Sequence, residues 1–328
     1  MKKRLKILEK IIHELKASTT VAVAGHMRPD GDCIGSQMAV AYALKNSGKK
    51  VTVFNQDKMP KKLAFLDPEK ILIGPNTPAL YDTVIATDCA NYERMGTVCE
   101  SISKRKTLIN IDHHGSNSRY GDINWIDARS ASSGELIFRL IKQANWTITP
   151  LIADCLFTAI STDTGSFQYA TTQPSTYQTA AELVKRGANV GRICEEVYQS
   201  YPLSRVKLLK HLYNSFKLIE KNQIGFFWIR KSDYKQARAA PDESEGLIDH
   251  IRDIQGVKIA CLFEEIEPEI TRVSLRSKLP ELDVSTIAVS FGGGGHQSAA
   301  GVRVNGKQQT IQRKVICALK EALSKSRP

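Results

Sequence analysis

Four short stretches concentrate the residues able to do chemistry. The first is His26-Met27-Arg28-Pro29-Asp30-Gly31-Asp32, an imidazole followed by two carboxylates in the spacing H-x-x-x-D-x-D. Pro29 and Gly31 are expected to keep it out of regular helix or strand, so that the three side chains can turn toward one point. Imidazole and carboxylates on a loop make a good divalent-cation arrangement, although a polar turn with a helix-capping aspartate reads almost as well. The second stretch is Asp88, closing the run Thr83–Thr87, and the third is Asp112-His113-His114, closing Thr107–Ile111. The fourth is Asp163, at the end of an apolar helix that begins near Leu151. An aspartate there would ordinarily cap or turn; its company makes it a candidate ligand. Gathering so many carboxylates is unfavourable because like charges repel and desolvation is costly. Two divalent cations remove the conflict. Four of the seven histidines, His26, His113, His114 and His296, lie in candidate functional stretches.

These residues need elements that deliver them to one place. The first half alternates short β-branched runs with helical patterns, which predicts an α/β fold with a mainly parallel sheet flanked by helices. Strands are expected at Thr20–Gly25, Lys50–Phe54, Thr83–Thr87 and Thr107–Ile111. Helices are expected at Met1–Ala17, Ile34–Asn46, from Ser132–Ser133 onward, Leu151–Ser161, Tyr177–Arg186 and Ile193–Ser200. Ser132 and Glu135 have capping-box spacing. In an open parallel sheet the carboxyl ends of the strands share one edge, where sites form; His26, Asp88 and Asp112–His114 all follow such ends. The pattern breaks at Pro202. Residues 1–200 are read as a catalytic domain, 201–214 as a basic linker helix and 215–328 as a smaller α+β domain. The last has strands at Ser215–Ile219, Ile224–Ile229, Val257–Phe263, Thr271–Leu275 and Gly301–Val304, a glycine run at Gly292–Gly295 and a terminal helix from Gln308.

Composition sets the class of partner. Lys+Arg 46 against Asp+Glu 34 gives a formal charge of +12 over 328 residues. That balance attracts polyanions, so nucleotides or nucleic acid are plausible partners, although a solvated lysine surface would give the same total. The cysteines Cys33, Cys89, Cys99, Cys155, Cys194, Cys261 and Cys317 are scattered and never form C-x-x-C. Neither a disulfide framework nor a zinc knuckle is suggested, which suits a reducing compartment. Glu9, His13, Glu14 and Lys16 interrupt any signal-peptide core at the N-terminus, and no stretch approaches a membrane span. A cytoplasmic location without a membrane partner is expected.

Taken in order, His26-Asp30-Asp32, Asp88, Asp112–His114 and Asp163 resemble the four motifs of the DHH phosphoesterases. Gly292–His296, preceded by Ser274-Leu275-Arg276-Ser277, resembles the DHH-associated domain that anchors nucleotide phosphates. Size, layout and motif wording are similar to the nanoRNase/pAp phosphatase branch over nearly the whole chain. The resemblance implies one cation on His26, Asp30 and Asp88 and another on Asp32, Asp88, His113 and Asp163, with Asp88 bridging. It implies that Asp112 orients an imidazole and that His114 approaches the phosphate or leaving group. It makes Arg276, Ser277, Gly293, Gly294, Gly295 and His296 the substrate-binding residues. Mixed imidazole and carboxylate ligation suits Mn²⁺ better than Mg²⁺. Two such cations would activate water and neutralise phosphoryl charge, so direct hydrolysis is expected, with no serine or cysteine nucleophile. The substrates implied are very short oligoribonucleotides and 3′-phosphoadenosine 5′-phosphate or related nucleotides.

Other residues carry weaker expectations. Arg94 steadies substrate or pairs on the surface. Phe167 and Tyr169 stack a base or pack the core, and Lys45, Lys49, Lys50, Lys58, Lys61 and Lys62 form a basic patch or a solvated face. The rival readings are an inorganic pyrophosphatase, a hydrolase of the linear products of cyclic dinucleotides, and a nucleotide-binding regulator. A long-strand exonuclease of the RecJ type fits less well, since only about thirty residues follow His296. A homodimer is left open.

Overall fold

The computed structural model describes residues 2–279 and 281–325, with side chains described from Lys6 onward. The chain divides into two compact units, Met1–Ser200 and Tyr201–Pro328.

In the first unit the elements run α1 (Lys2–Ala17), β1 (Thr20–Ala24), α2 (Gly31–Asn46), β2 (Lys50–Phe54), β3 (Leu72–Ile73), β4 (Tyr81–Thr87), α3 (Val98–Ser101), β5 (Arg105–Asp112), β6 (Ile123–Ile126), α4 (Ser133–Gln143), α5 (Pro150–Asp163), α6 (Pro174–Lys185) and α7 (Val190–Tyr198). The strands form one sheet in the order β3-β2-β1-β4-β5-β6, every neighbouring pair parallel. This is the parallel sheet expected from the alternating pattern. Val21 and Val23 of β1 enter one apolar core while Ala22 and Ala24 enter another across the sheet. A strand buried on both faces reads as a continuous apolar run. From β1 the chain builds outward to β2 and β3, then returns to the other side of β1 for β4. The reversal opens a crevice at the carboxyl ends of β1 and β4. The edge strands β3 and β6, two and four residues long, escape sequence reading because so few residues carry no periodicity.

The start of α2 corrects the sequence reading. The helix begins at Gly31, not Ile34, because the Asp30 side chain caps it by accepting the Cys33 N–H at 3.0 Å. Gly31 and Asp32 therefore lie in its first turn, and Pro29 alone marks the break. The helix is buried from Gly31 to Leu44. Close approach makes that burial workable: a Cβ on Gly35 would collide with the Cys155 carbonyl oxygen of α5, and one on Gly31 with the Thr162 side chain. The N-terminus of α2 is thereby held against the C-terminal turn of α5, which ends in Asp163.

The second unit contains α8 (Leu203–Ser215), β7 (Lys217–Ile219), β8 (Ile224–Ile229), α9 (Lys231–Ala237), α10 (Leu247–Arg252), β9 (Ile259–Glu267), β10 (Ile270–Ser277), α11 (Val284–Ser290), β11 (Gly294–His296), β12 (Ala299–Asn305) and α12 (Gln308–Lys325). Its sheet runs β11-β12-β10-β9-β8-β7, antiparallel except between β8 and β9. One face packs on α11 and α12 through Val284, Ile311, Val315 and Leu319. The other packs on α8 and α10 through Leu208, Leu212, Leu247 and Ile251. Among the described residues no helix is long and apolar enough to cross a membrane.

Candidate metal centre

The crevice between β1 and β4 collects the acids and imidazoles. His26 follows β1 by two residues, and its Nδ1 lies 2.8 Å from the Met27 carbonyl oxygen, turning Nε2 toward the acids. Met27 is itself fixed, its N–H donating to the Arg94 carbonyl oxygen at 2.7 Å. Asp88 follows β4 directly and adopts a left-handed backbone, φ 54°, a conformation uncommon for a residue with a side chain. Its N–H still donates to the Ile111 carbonyl oxygen of β5 at 3.1 Å, so β4 and β5 hold the turn in place.

The two carboxylate oxygens of Asp88 face two groups. Oδ2 lies 3.3 Å from His26 Nε2, which is 3.8 Å from Asp30 Oδ2. Oδ1 lies 3.6 Å from His113 Nε2, which in turn is 3.2 Å from Asp163 and 3.8 Å from Asp32. Ligand atoms of Asp32, His113 and Asp163 all fall within 4.8 Å of one another. The structure thus brings together His26, Asp30, Asp32, Asp88, His113 and Asp163. Asp30 sits at the rim, with its side chain 46% exposed.

Electrostatics show how uneasy the cluster is by itself. Burial, and then the Asp88 carboxylate, push Asp32 and Asp163 well above the usual carboxylate range. Burial acts on Asp88 in the same sense, but the His26 hydrogen bond and the nearby rings of His114, His26 and His113 outweigh it and hold Asp88 well below that range. For His26, burial is overridden by Cys33, Asp88 and Asp30, and the imidazole is pushed well up. Four acids and two imidazoles, mutually repelling on one side and proton-seeking on the other, form a donor set that fits divalent cations.

Supporting contacts include residues missed from sequence. Ser133 and Gly134, at the start of α4, donate backbone N–H groups to the two oxygens of Asp32 at 2.7 and 2.9 Å, and Ser36 Oγ donates to Asp32 Oδ1 at 3.1 Å. Ser133 Oγ donates to Asp88 Oδ1 at 3.0 Å. The signal available was the capping-box spacing of Ser132 and Glu135, which places a helix N-terminus, favourable to a carboxylate, at Ser132–Ser133, although in the structure only the Ser132 half of the box forms. His113 Nδ1 lies 3.3 Å from the Ser130 carbonyl oxygen. Asp112 accepts from His114 Nδ1 at 2.7 Å and from Asn117 Nδ2 at 2.6 Å. Burial raises Asp112, but the His114 bond and charge prevail and keep it low.

In the second unit, cross-strand register sets Arg276 and His296 on either side of Ala299, at one end and on one face of the sheet. Ser277 does not join them. It follows Arg276 along β10 and points to the opposite face, where its Oγ donates to the Leu279 carbonyl oxygen and accepts the Leu279 N–H, both at 3.1 Å. Arg276 Nη1 donates to the Leu275 carbonyl oxygen, and Nε lies 3.5 Å from Asp249. The glycine run has a structural part as well. Gly292 and Gly293 N–H groups close the end of α11 on the Val289 and Ala288 carbonyl oxygens, and Gly293 and Gly295 leave no room for a Cβ against β12, whereas Gly294 faces open space.

Three of the weaker candidates have partners within the first unit. Phe167 stacks on Tyr177 and tilts against Phe157. Lys45 pairs with Glu69, and Lys49 donates to the Lys16 and Ser18 carbonyl oxygens.

Comparison with known proteins matches both units of the chain. Residues 20–160 match the DHH family N-terminal domain and residues 209–324 the DHHA1 domain. A bifunctional oligoribonuclease and PAP phosphatase NrnA from Thermus thermophilus is 30% identical over 93% of this chain and 91% of its own length. The protein of that name from Bacillus subtilis is 27% identical over 90% and 92%. The fold is that of an exopolyphosphatase-related protein from Bacteroides fragilis, with TM-score 0.86 and 23% identity over 98% of this chain and 96% of that one. With both domains matched in order and these relatives aligned along most of its length, the chain belongs to the DHH family of metal-dependent phosphoesterases, in the branch that joins a DHH domain to a DHHA1 domain.

Proposed function

We propose that the chain hydrolyses phosphoester bonds in very short oligoribonucleotides and removes a phosphate from 3′-phosphoadenosine 5′-phosphate. The observation that carries this reading is Asp88, whose two oxygens each face a separate set of donors. His26, Asp30 and Asp88 would hold one divalent cation, and Asp32, Asp88, His113 and Asp163 a second. Manganese is best matched, because imidazole shares the donor set with carboxylate. When bound, such a pair supplies charge neutralisation at the phosphoryl oxygens and a water of lowered pKa.

The chain's own residues do the rest. Ser133, Gly134 and Ser36 fix Asp32 by hydrogen bonds to both its oxygens, so the carboxylate does not reorganise when charge develops. The Ser130 carbonyl oxygen accepts a hydrogen bond from His113 Nδ1–H, leaving the Nε2 lone pair toward the acids. Asp112 accepts a hydrogen bond from His114 Nδ1–H, leaving Nε2 for a phosphate oxygen or the leaving group. Residues 1–200 are in this reading the catalytic domain and 215–328 the substrate-binding domain. There Arg276, with His296 across Ala299, offers donors to a nucleotide phosphate, and Gly294 leaves backbone room beside them.

The test is a substrate panel with Mn²⁺: a 5′-phosphorylated diribonucleotide, a long single strand, 3′-phosphoadenosine 5′-phosphate and pyrophosphate. Mononucleotide release from the dinucleotide, phosphate release from 3′-phosphoadenosine 5′-phosphate and slow attack on the long strand are expected. Rapid turnover of pyrophosphate alone would overturn the nucleotide assignment.

A further inference from the structure

Cys33 occupies a place that its chemistry alone would not predict. Four cysteines are buried. Cys155, Cys261 and Cys89 each belong to an apolar cluster, as expected of a thiol that serves as a small hydrophobe, whereas Cys33, with no exposed surface, belongs to none among the described residues. Its surroundings are polar. The thiol's contacts include 3.9 Å to the His26 carbonyl oxygen, 3.6 Å to Gln37 Oε1 and 4.0 Å to Asn55 Nδ2, all long. Cys89, by contrast, is committed to the Asn91 carbonyl oxygen at 3.1 Å.

What lies within reach of Cys33 is the metal-binding set. Its Sγ, a ring nitrogen of His26 and a carboxylate oxygen of Asp88 all lie within 4.8 Å of one another, and all three residues are buried. The backbone holds it there: Cys33 is the third residue of α2, its N–H donating to Asp30 Oδ1, so the capping bond that starts the helix also aims the thiol.

We propose that Cys33 is a sulfur donor to the cation held by His26, Asp30 and Asp88, and that it gives this position a preference for thiophilic divalent cations such as zinc, cobalt and cadmium over magnesium. The inference rests on the reading that those three residues hold a cation. Soft thiolate selects such metals where carboxylate and water favour magnesium. Forming the sulfur–metal bond releases the thiol proton to water, as metal binding by cysteine does generally. The second position, on Asp32, His113 and Asp163, has no sulfur within the same reach among the described residues, so the two cations would differ in softness.

Cobalt titration separates this inference from the reading beneath it. Metal-free protein is titrated with Co²⁺ and followed by absorption, alongside Cys33→Ala and the nearly isosteric Cys33→Ser. The wild type is expected to develop visible d–d bands together with a near-ultraviolet sulfur-to-cobalt charge-transfer band. Both variants should keep the first and lose the second. Competition by dialysis should show Zn²⁺ binding weakened about tenfold or more in the variants, the usual scale of losing a supporting contact to a metal, with Mg²⁺ binding changed less than about threefold. Cobalt bound to the wild type without the charge-transfer band, or the same band in Cys33→Ala, would overturn the role of Cys33 while leaving the cation site intact. An absence of any cobalt bands would overturn both.

Discussion

Asp88 is the residue on which the centre turns. It sits alone in left-handed backbone after β4, φ 54°, a conformation that costs roughly 1–2 kcal/mol for an L-residue and that the Ile111 hydrogen bond across to β5 sustains. Asp88→Ala should lower turnover about 10³-fold or more, the scale of losing a main electrostatic contact to a reacting group; near-normal turnover of the folded variant would refute the shared role. The charge imbalance makes a second expectation. Asp32 and Asp163 have folded pKa values raised above the unfolded ones. Their penalty is therefore fully present above the folded pKa and is relieved as pH falls through it. His26 is also raised, so its contribution is complete below the unfolded value, about 6.5, and is lost as pH rises through the folded pKa. All three act in one direction. With chelator present, the melting temperature should rise as pH is lowered from about 8 to 6, and added Mn²⁺ should shrink that rise because cations replace the protons. A chelated protein that melts higher at pH 8 would contradict this. The acids and histidines were legible in the sequence because their types and spacing are unusual. Ser36, Ser130, Ser133 and Asn117 were not, since serine and asparagine near a helix start or turn have ordinary work to do and only the fold aims them at Asp32, His113, Asp88 and Asp112.

Among the elements, α2, α4 and α5 decide whether the donors meet. Gly35 faces the Cys155 carbonyl oxygen so closely that a methyl group cannot enter. Gly35→Ala gains about 1 kcal/mol of helix propensity, yet overpacking should make the protein about 1–3 kcal/mol less stable overall, measured by denaturant unfolding. A stabilised variant would show that the contact between α2 and α5 is loose. In the second unit, alternation along β10 divides Arg276 from Ser277. Arg276→Ala should raise KM about tenfold with kcat kept. Ser277→Ala should leave KM alone and cost about 1 kcal/mol of stability through its lost turn. The reverse pattern would place the serine on the substrate. Sequence placed the longer helices and strands of the first half well, missing α2's first turn because the capping role of Asp30 competes with its reading as a loop ligand. It missed α9, α10 and α11, each of six or seven residues, since two turns show little of the 3.6-residue period.

For the molecule as a whole, the formal charge of +12 becomes meaningful once the substrate class is anionic. Phosphate contacts made by cations weaken as salt displaces them. KM for a diribonucleotide should rise steadily between about 50 and 200 mM salt while kcat holds; a KM indifferent to salt would mean that the basic surface plays no part in capture. The identity of the family rests on the DHH match over residues 20–160 followed by the DHHA1 match over 209–324, and on relatives aligned along most of the chain. The central claim is that Asp88 is shared between two cations. Crystals grown in Mn²⁺ and measured at the manganese absorption edge address it directly. Two anomalous peaks are expected, one beside each oxygen of Asp88, with His26 and Asp30 around the first and Asp32, His113 and Asp163 around the second. A fully occupied manganese site remote from Asp88, or a cluster without anomalous signal in manganese-saturated crystals, would contradict it.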